Sequence, residues 1–223
     1  MSFLYLENSF DIAAGYADQL QENLDTHAAL QSLCNDLKLS HHTLKAPFKQ
    51  PPPPNTQIVF LLNFTTAQRT YLLRSPSTIA LLYTPRNEHF GIVPIEAMAC
   101  GLPVLAANSG GPVETIVEMG GDKQGTGLLR SPTPEAWSPA LAALIDLTPS
   151  ARAEVAEAAK RRVKEQFSSD KLGRELQAAC EIAASMGPLS ELLADKLIWG
   201  GVLLMVSAAV GFFAIVMMYG DRL

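Results

Sequence analysis

Residues 78–107, TIALLYTPRNEHFGIVPIEAMACGLPVLAA, contain the pattern that decides the fold of this chain. The apolar run at 78–83 predicts a buried strand. Residues 94–100 predict a helix that ends at Gly101, and residues 103–107 predict a second strand. Short apolar strands that alternate with helices are typical of a parallel sheet with helices on both faces. The segment therefore predicts a Rossmann-like α/β domain.

The same alternation continues on both sides of this segment. N-terminal to it, leucines that recur every three or four residues predict a helix over 11–39, and residues 3–6 predict a short strand. A proline-rich stretch at 46–56 predicts an extended loop. The remaining predictions are strands at 57–62 and 126–129 and helices near 67–74, over 112–119, from Pro134, from Pro149 and over 169–186.

The composition of the chain excludes several classes of protein. With 223 residues, 48% of them hydrophobic, and a net charge of −5, the chain is neither typical of disorder nor basic enough to bind nucleic acid. Its three cysteines lack the spacing of a disulfide framework or a zinc site. These features indicate a reduced protein that faces the cytosol. The mean hydropathy of +0.14 is high for a chain with 17% charged residues.

The excess hydropathy comes from residues 197–219, LIWGGVLLMVSAAVGFFAIVMMY, which include no charged side chain. As a helix this segment would be about 34 Å long, enough to cross a hydrocarbon core of about 30 Å. Trp199 and Tyr219 lie near its two ends, where aromatic rings favour the membrane interface. We see no signal peptide at the N-terminus and expect a tail-type anchor with residues 1–186 in the cytosol. Residues 187–196 are then a linker and residues 220–223 a short tail.

The candidate ligand site follows the strand at 78–83. Ligands of open α/β sheets bind at the carboxyl ends of the strands, where helix N-termini present free N–H groups. Glu88 lies in that loop and Glu96 lies on the following helix, with Gly91 between them to allow close backbone approach. A second turn, Gly110-Gly111 before Pro112, repeats the arrangement after the next strand. Because carboxylates accept hydrogen bonds from pairs of sugar hydroxyls, the pattern favours a phosphorylated, sugar-like ligand.

The same residues resemble a known family. The E-x7-E spacing of Glu88 and Glu96, followed by AMACGLPV and SGGP, resembles the donor-site signature of the retaining family 4 glycosyltransferases. The fuller strings NEHFGIVPIEAM and NSGGPVETI are similar to those of α-1,3/1,6-mannosyltransferases of dolichol-linked oligosaccharide assembly. The resemblance covers roughly residues 10–185. It implies the C-terminal half of a GT-B fold, with residues 1–186 as the donor-binding domain.

The resemblance also implies the substrates, the location and the site. The donor would be GDP-mannose and the acceptor a dolichol-diphosphate oligosaccharide, at the cytosolic face of the endoplasmic reticulum membrane, alongside other glycosyltransferases of the pathway. No metal or other cofactor is implied. The catalytic role is implied for Glu88. The implied donor-binding residues are Glu88 and the backbone of Phe90, Gly91 and Ile92 for the mannose and diphosphate, Glu96 for the ribose, and Gly110 and Gly111.

The chain also departs from the family pattern. A basic pair that the family places after the first strand of this domain is missing, and no Lys or Arg precedes Lys38. Because charge-assisted contacts stabilise a diphosphate leaving group, we expect a truncated product that is inactive alone. Two alternatives remain at this point. One is a non-catalytic, membrane-anchored module that binds nucleotide sugars, and the other is a relative of the N-acetylglucosaminyltransferase of GPI-anchor synthesis.

Overall fold

The computed structural model of the chain describes residues 2–6, 9–14, 20–46, 50–120, 124–187 and 196–210. The chain forms two compact units, Met1–Ser168 and Ser169–Leu223. The strands of the first unit are β1 Ser2–Leu6, β2 Ser9–Ala14, β3 His41–Lys45, β4 Ile58–Leu62, β5 Thr78–Tyr83, β6 Val104–Ala107 and β7 Gly127–Arg130. Its helices are α1 Gln21–Asp36, α2 Thr66–Arg74, α3 Ile92–Ala99, α4 Pro112–Thr115, α5 Pro134–Ile145 and α6 Pro149–Gln166; the second unit contains α7 Ser169–Ser185.

The seven strands form one sheet in the order β3-β4-β2-β1-β5-β6-β7. Pairs that do not include β1 are parallel, whereas β1 is antiparallel to both of its neighbours, β2 and β5. Only two residues connect β1 to β2, and so short a connection can join only antiparallel strands. The prediction of a wholly parallel sheet was therefore wrong at its central strand.

The sheet is covered on both faces because side chains alternate along each strand. Leu81 and Tyr83 of β5 pack with α3 and α6 on one face, where they share a buried cluster with Met98 and Ala159. On the other face, the intervening residues of β5 pack with Leu105, Leu128 and α5. This two-sided burial explains why the strands read as continuous apolar runs.

The predictions for the central part of the chain are accurate. Strands at 57–62, 78–83, 103–107 and 126–129 are confirmed as β4 to β7, and the helices from Pro134 and Pro149 begin as predicted, each after a threonine cap. The helix predicted over 112–119 is too long, since α4 ends at Thr115 and Glu118 instead forms a bridge with Gly127.

The prediction for residues 11–39 was wrong at its start. Residues 11–14 belong to strand β2, where they pair in parallel with β4, and the helix begins only at Gln21. Residues 41–45 form strand β3, which the sequence analysis did not identify. The described part of the proline-rich loop, residues 50–56, contains neither helix nor strand.

The C-terminal unit contains the predicted membrane span. Residues 196–210 are helical, and the remaining residues of the predicted span, 211–219, lie outside the described residues. Among the helices of the described ranges, none is both long enough and apolar enough to cross a membrane. Because the linker predicted at 187–196 also lies largely outside those ranges, the domain boundaries stay predictions.

The buried cluster around β6 yields a test of the fold. Leu105 is completely buried, so replacing it with alanine should lower the free energy of unfolding by about 2–5 kcal/mol through the lost contacts and the cavity. Leu33→Ala is the matched control, because Leu33 on α1 is exposed and its truncation should change stability by less than about 0.5 kcal/mol. Urea denaturation measures both, and equal losses would contradict this core assignment.

Candidate functional site

The loop from β5 to α3, residues 84–91, lies at the sheet edge where the parallel strands end. The loop ends at Gly91, the N-cap residue of α3. The backbone of Gly91 is in the left-handed region, with a φ of 75°. This cap supplies no side-chain oxygen, so the N–H groups of the first helical turn are left to solvent or to a bound anion. Phe90 and Ile92, on either side of the cap, are both exposed. The loop and helix therefore present backbone donors at an accessible edge.

The backbone of this loop packs directly against the backbone of the second glycine turn, residues 109–111. The Gly111 N–H donates to the Glu88 carbonyl oxygen at 2.7 Å. A Cβ on Gly110 would lie 2.3 Å from that same oxygen, and a Cβ on Gly111 would lie 2.4 Å from the Phe90 carbonyl oxygen. The Ser109 hydroxyl accepts from the Asn87 N–H at 3.2 Å nearby. These two glycines are therefore needed to seat the loop against its neighbour.

The carboxylate of Glu88 contacts a buried tyrosine at the end of β5. Burial and the nearby Glu88 carboxylate, which is hydrogen-bonded to the phenol, raise the pKa of Tyr83 above its usual range. The phenol is therefore neutral at physiological pH, and its O–H donates to Glu88. The Tyr83 ring also lies against Gly91, where an added Cβ would be 3.4 Å from a ring carbon. Tyr83 thus links the orientation of Glu88 to the position of the α3 cap.

Glu96 has a different neighbour. It lies on α3, and its Oε1 forms an ion pair of 2.8 Å with the Arg69 guanidinium on α2. Both side chains are partly exposed, at 31% for Arg69 and 29% for Glu96. The two carboxylates of the E-x7-E pattern are therefore held by separate groups, Glu88 by Tyr83 and Glu96 by Arg69.

The exposed ring of Phe90 is supported by the C-terminal end of α6. It meets Phe167 edge to face, with ring centroids 5.9 Å apart. Arg162 lies over the Phe167 ring at 5.8 Å and donates to the carbonyl oxygens of Glu114 and Thr115 at 2.6 Å each. The guanidinium thereby satisfies the end of α4, so α6 braces both loops of the candidate site.

The structure brings most of the predicted residues to one edge of the sheet. Glu88, Phe90, Gly91, Ile92, Gly110 and Gly111 share the two packed loops, and Glu96 follows on α3. Sequence reasoning missed three supporting residues, Tyr83, Arg69 and Phe167. Tyr83 could have been found from its position at the strand end, whereas the other two come close only through tertiary packing.

The central strand affects the same edge. Because β1 is antiparallel, its first residue, Ser2, pairs with Tyr83, the last residue of β5. Because β1 starts at this edge, the loop that follows β1 lies at the opposite edge of the sheet. The neighbouring strand β2 runs parallel to β5 and ends at this edge at Ala14.

The sequence that forms this site matches a known protein family. Residues 54–162 match the family "Glycosyl transferases group 1". The matched range includes both glycine turns and both carboxylates described above. The chain therefore contains a group 1 glycosyltransferase domain, as its E-x7-E pattern predicted.

Sequence relatives show which glycosyltransferases the chain resembles. The α-1,3/1,6-mannosyltransferase ALG2 of Candida albicans is 36% identical over 167 residues, which is 74% of this chain and 37% of that protein. Human ALG2 is 36% identical over 165 residues, 74% of this chain and 34% of that protein. The predicted resemblance to these mannosyltransferases is confirmed. The chain spans about a third of the length of the relatives that it matches.

Solved structures show the same fold. A sucrose-phosphate synthase from Thermosynechococcus elongatus matches 78% of this chain and 38% of its own with a TM-score of 0.57 and 20% identity. A glycosyltransferase from Rickettsia africae matches 78% of this chain and 39% of its own with a TM-score of 0.56 and 21% identity. The prediction of a GT-B-type domain is confirmed by these matches.

The glycine packing gives a direct test. In Gly111→Ala the new methyl group would collide with the Phe90 backbone, so the loop must move and the free energy of unfolding should fall by about 1–3 kcal/mol. Gly173→Ala on α7 is the matched control. Nothing lies within 4 Å of its added Cβ, and alanine should stabilise that helix by up to about 1 kcal/mol. Thermal unfolding measures both, and an unchanged Gly111 variant would contradict the close approach.

Proposed function

We propose that this chain is the donor-binding part of a retaining α-1,3/1,6-mannosyltransferase. In this proposal it binds GDP-mannose, and the acceptor is a dolichol-diphosphate-linked oligosaccharide of N-glycan precursor synthesis at the endoplasmic reticulum. The chain spans about a third of its relatives, so the transfer reaction of those proteins belongs to the proposal. Donor binding is the step for which the described residues supply the chemistry.

The observation that carries the proposal is the packed loop pair at the start of α3. Its exposed backbone donors, with the helix dipole behind them, suit the diphosphate of a nucleotide sugar. Glu88 lies beside these donors, and its carboxylate can accept hydrogen bonds from mannose hydroxyls while Tyr83 fixes its orientation. Glu96 lies farther along the helix, in reach of the nucleotide ribose in this proposal. No metal ion is included in the proposed site.

The roles of these groups follow from the charge that develops in transfer. When the bond from mannose to the diphosphate breaks, negative charge grows on the leaving phosphate oxygens. Fixed N–H groups at a helix N-terminus stabilise that charge without reorganising. Glu88, held by a neutral phenol, stays an acceptor and positions the sugar over these donors.

Calorimetric titration of the 223-residue chain with GDP-mannose, GDP and UDP-N-acetylglucosamine tests donor binding. We expect binding of GDP-mannose and GDP and much weaker binding of the uridine nucleotide. Glu88→Gln should weaken GDP-mannose about 10-fold or more, because the amide cannot accept two charge-assisted hydrogen bonds, and should leave GDP nearly unchanged. Glu135→Gln, on the exposed start of α5, changes the net charge equally and should have no effect.

Two outcomes would contradict the proposal. Preferential binding of UDP-N-acetylglucosamine would favour an N-acetylglucosaminyltransferase instead. Equal loss of GDP and GDP-mannose in Glu88→Gln would place Glu88 away from the sugar. If the chain binds GDP-mannose as expected, a mannose-transfer assay with a lipid-linked acceptor then separates an active enzyme from a non-catalytic binding module.

We also propose that residues 197–219 anchor the chain in the endoplasmic reticulum membrane, with residues 1–186 in the cytosol. The support is the run of 23 uncharged residues, together with the apolar side chains of residues 197–210, whose large members are exposed in the described helix. Such side chains favour a lipid environment. A charged side chain near the middle of the segment would oppose insertion, and residues 197–219 contain none.

Carbonate extraction of microsomes tests the proposed anchor. The full chain should remain in the membrane pellet. The double variant Leu204→Arg and Ala208→Arg should be released, because each arginine near the bilayer centre costs about 2.5–3.5 kcal/mol on insertion scales. Release of the unaltered chain would contradict the anchor. Residues Asn63-Phe64-Thr65 form an N-glycosylation sequon that a cytosolic domain leaves unused, so a glycan on Asn63 would contradict the orientation.

A further inference from the structure

The ion pair between Arg69 and Glu96 joins two helices that flank the candidate site. Arg69 lies on the first turns of α2, whose N-terminus is fixed by a capping box between Thr65 and Gln68. The Arg69 N–H donates to the Thr65 carbonyl oxygen at 2.9 Å, so the cap also fixes the backbone of the arginine. Its guanidinium reaches Glu96 on α3 at 2.8 Å. The backbone at the arginine end of the pair is therefore fixed by the cap of α2.

The two oxygens of Glu96 have different surroundings. Oε1 is held by Arg69, whereas Oε2 is shielded from solvent and has no hydrogen-bond partner among the described residues. A shielded carboxylate oxygen without a donor is unfavourable, and a hydroxyl that donates to it would remove that cost. The side chain as a whole remains 29% exposed. This last torsion is broad, so a partial rotation can turn the shielded oxygen toward the open side while the carboxylate keeps its contact with Arg69.

An ion pair as exposed as this one contributes little to stability. The contact of one guanidinium nitrogen with Oε1 nevertheless limits where the Glu96 carboxylate can lie. A carboxylate that must accept from the two neighbouring hydroxyls of a ribose needs such a restriction, since a freely rotating side chain loses conformational entropy on binding.

We infer that Arg69 is a positioning residue, which holds Glu96 so that its carboxylate can accept a hydrogen bond from the ribose of the donor nucleotide. The inference rests on the proposed function, because it requires a ribonucleotide at the start of α3. In this arrangement Arg69 acts through Glu96 and need not contact the donor. A lysine at position 69 would supply the charge but not the planar fork, and should restore the effect only in part.

Titration of the full chain with GDP and with 2′,3′-dideoxy-GDP tests this inference. Arg69→Gln should weaken the binding of GDP about 10-fold and leave the binding of the dideoxy nucleotide unchanged. The reason is that Glu96 contacts only the ribose hydroxyls, which the dideoxy nucleotide lacks. Arg69→Lys should fall between the two. In a Glu96→Gln background, Arg69→Gln should cause little further loss, since both changes affect the same contact.

Arg74→Gln is the matched control. Arg74 lies at the other end of α2 and is exposed, so its loss changes the net charge equally without touching Glu96. It should bind GDP as the unaltered chain does. Circular dichroism of each variant shows whether it is folded.

The outcomes separate the two proposals. Unaltered GDP affinity in Arg69→Gln would overturn the role of Arg69 and leave donor binding intact. Equal weakening of GDP and dideoxy-GDP would also overturn it, because Arg69 would then act on the phosphates or on the fold. If the unaltered chain bound no GDP, the proposed function and this inference would both be wrong.

Discussion

The candidate site depends on one hydrogen bond, from the Gly111 N–H to the Glu88 carbonyl oxygen at 2.7 Å. The bond forms only because two loops approach each other closely, with glycine at both contact points. Since Glu88 belongs to the loop that is held, its side chain, the Phe90 backbone and the Gly91 cap all take their positions from this contact. Gly110 and Gly111 are therefore needed for the two loops to pack together, in addition to any role in letting a ligand come close to the backbone.

Much of this region could be predicted because its signals are local. The apolar runs at 78–83 and 103–107 and the stop at Gly101 define a β-α-β unit without knowledge of other parts of the chain. The N-terminal region was harder. The leucines spaced for a helix begin only at Leu20, and residues 11–14, which the helix prediction included, pair with β4 as a strand instead. Strand β1 takes a central position that only the whole sheet determines.

The supporting contacts could not be predicted for the same reason. Arg69 and Glu96 are 27 positions apart and Phe90 and Phe167 are 77 positions apart, so their proximity is a result of the fold. The basic residues at 160–164 are another example, because residue type alone does not show which of them faces the protein interior. In the structure, Arg162 turns inward to α4. Residue type thus indicated the chemistry of the site, and tertiary structure determined which groups support it.

Amide hydrogen exchange at Gly111, followed by NMR on the full chain, tests the central contact most directly. Its N–H donates to a carbonyl oxygen within a buried loop junction, so we predict slow exchange. Gly120 provides the internal reference, because it is exposed whereas Gly111 is buried. Exchange at Gly111 at least ~100-fold slower than at Gly120 would support the seated loop, since closed hydrogen bonds must open before exchange. Equal rates at the two glycines would contradict it.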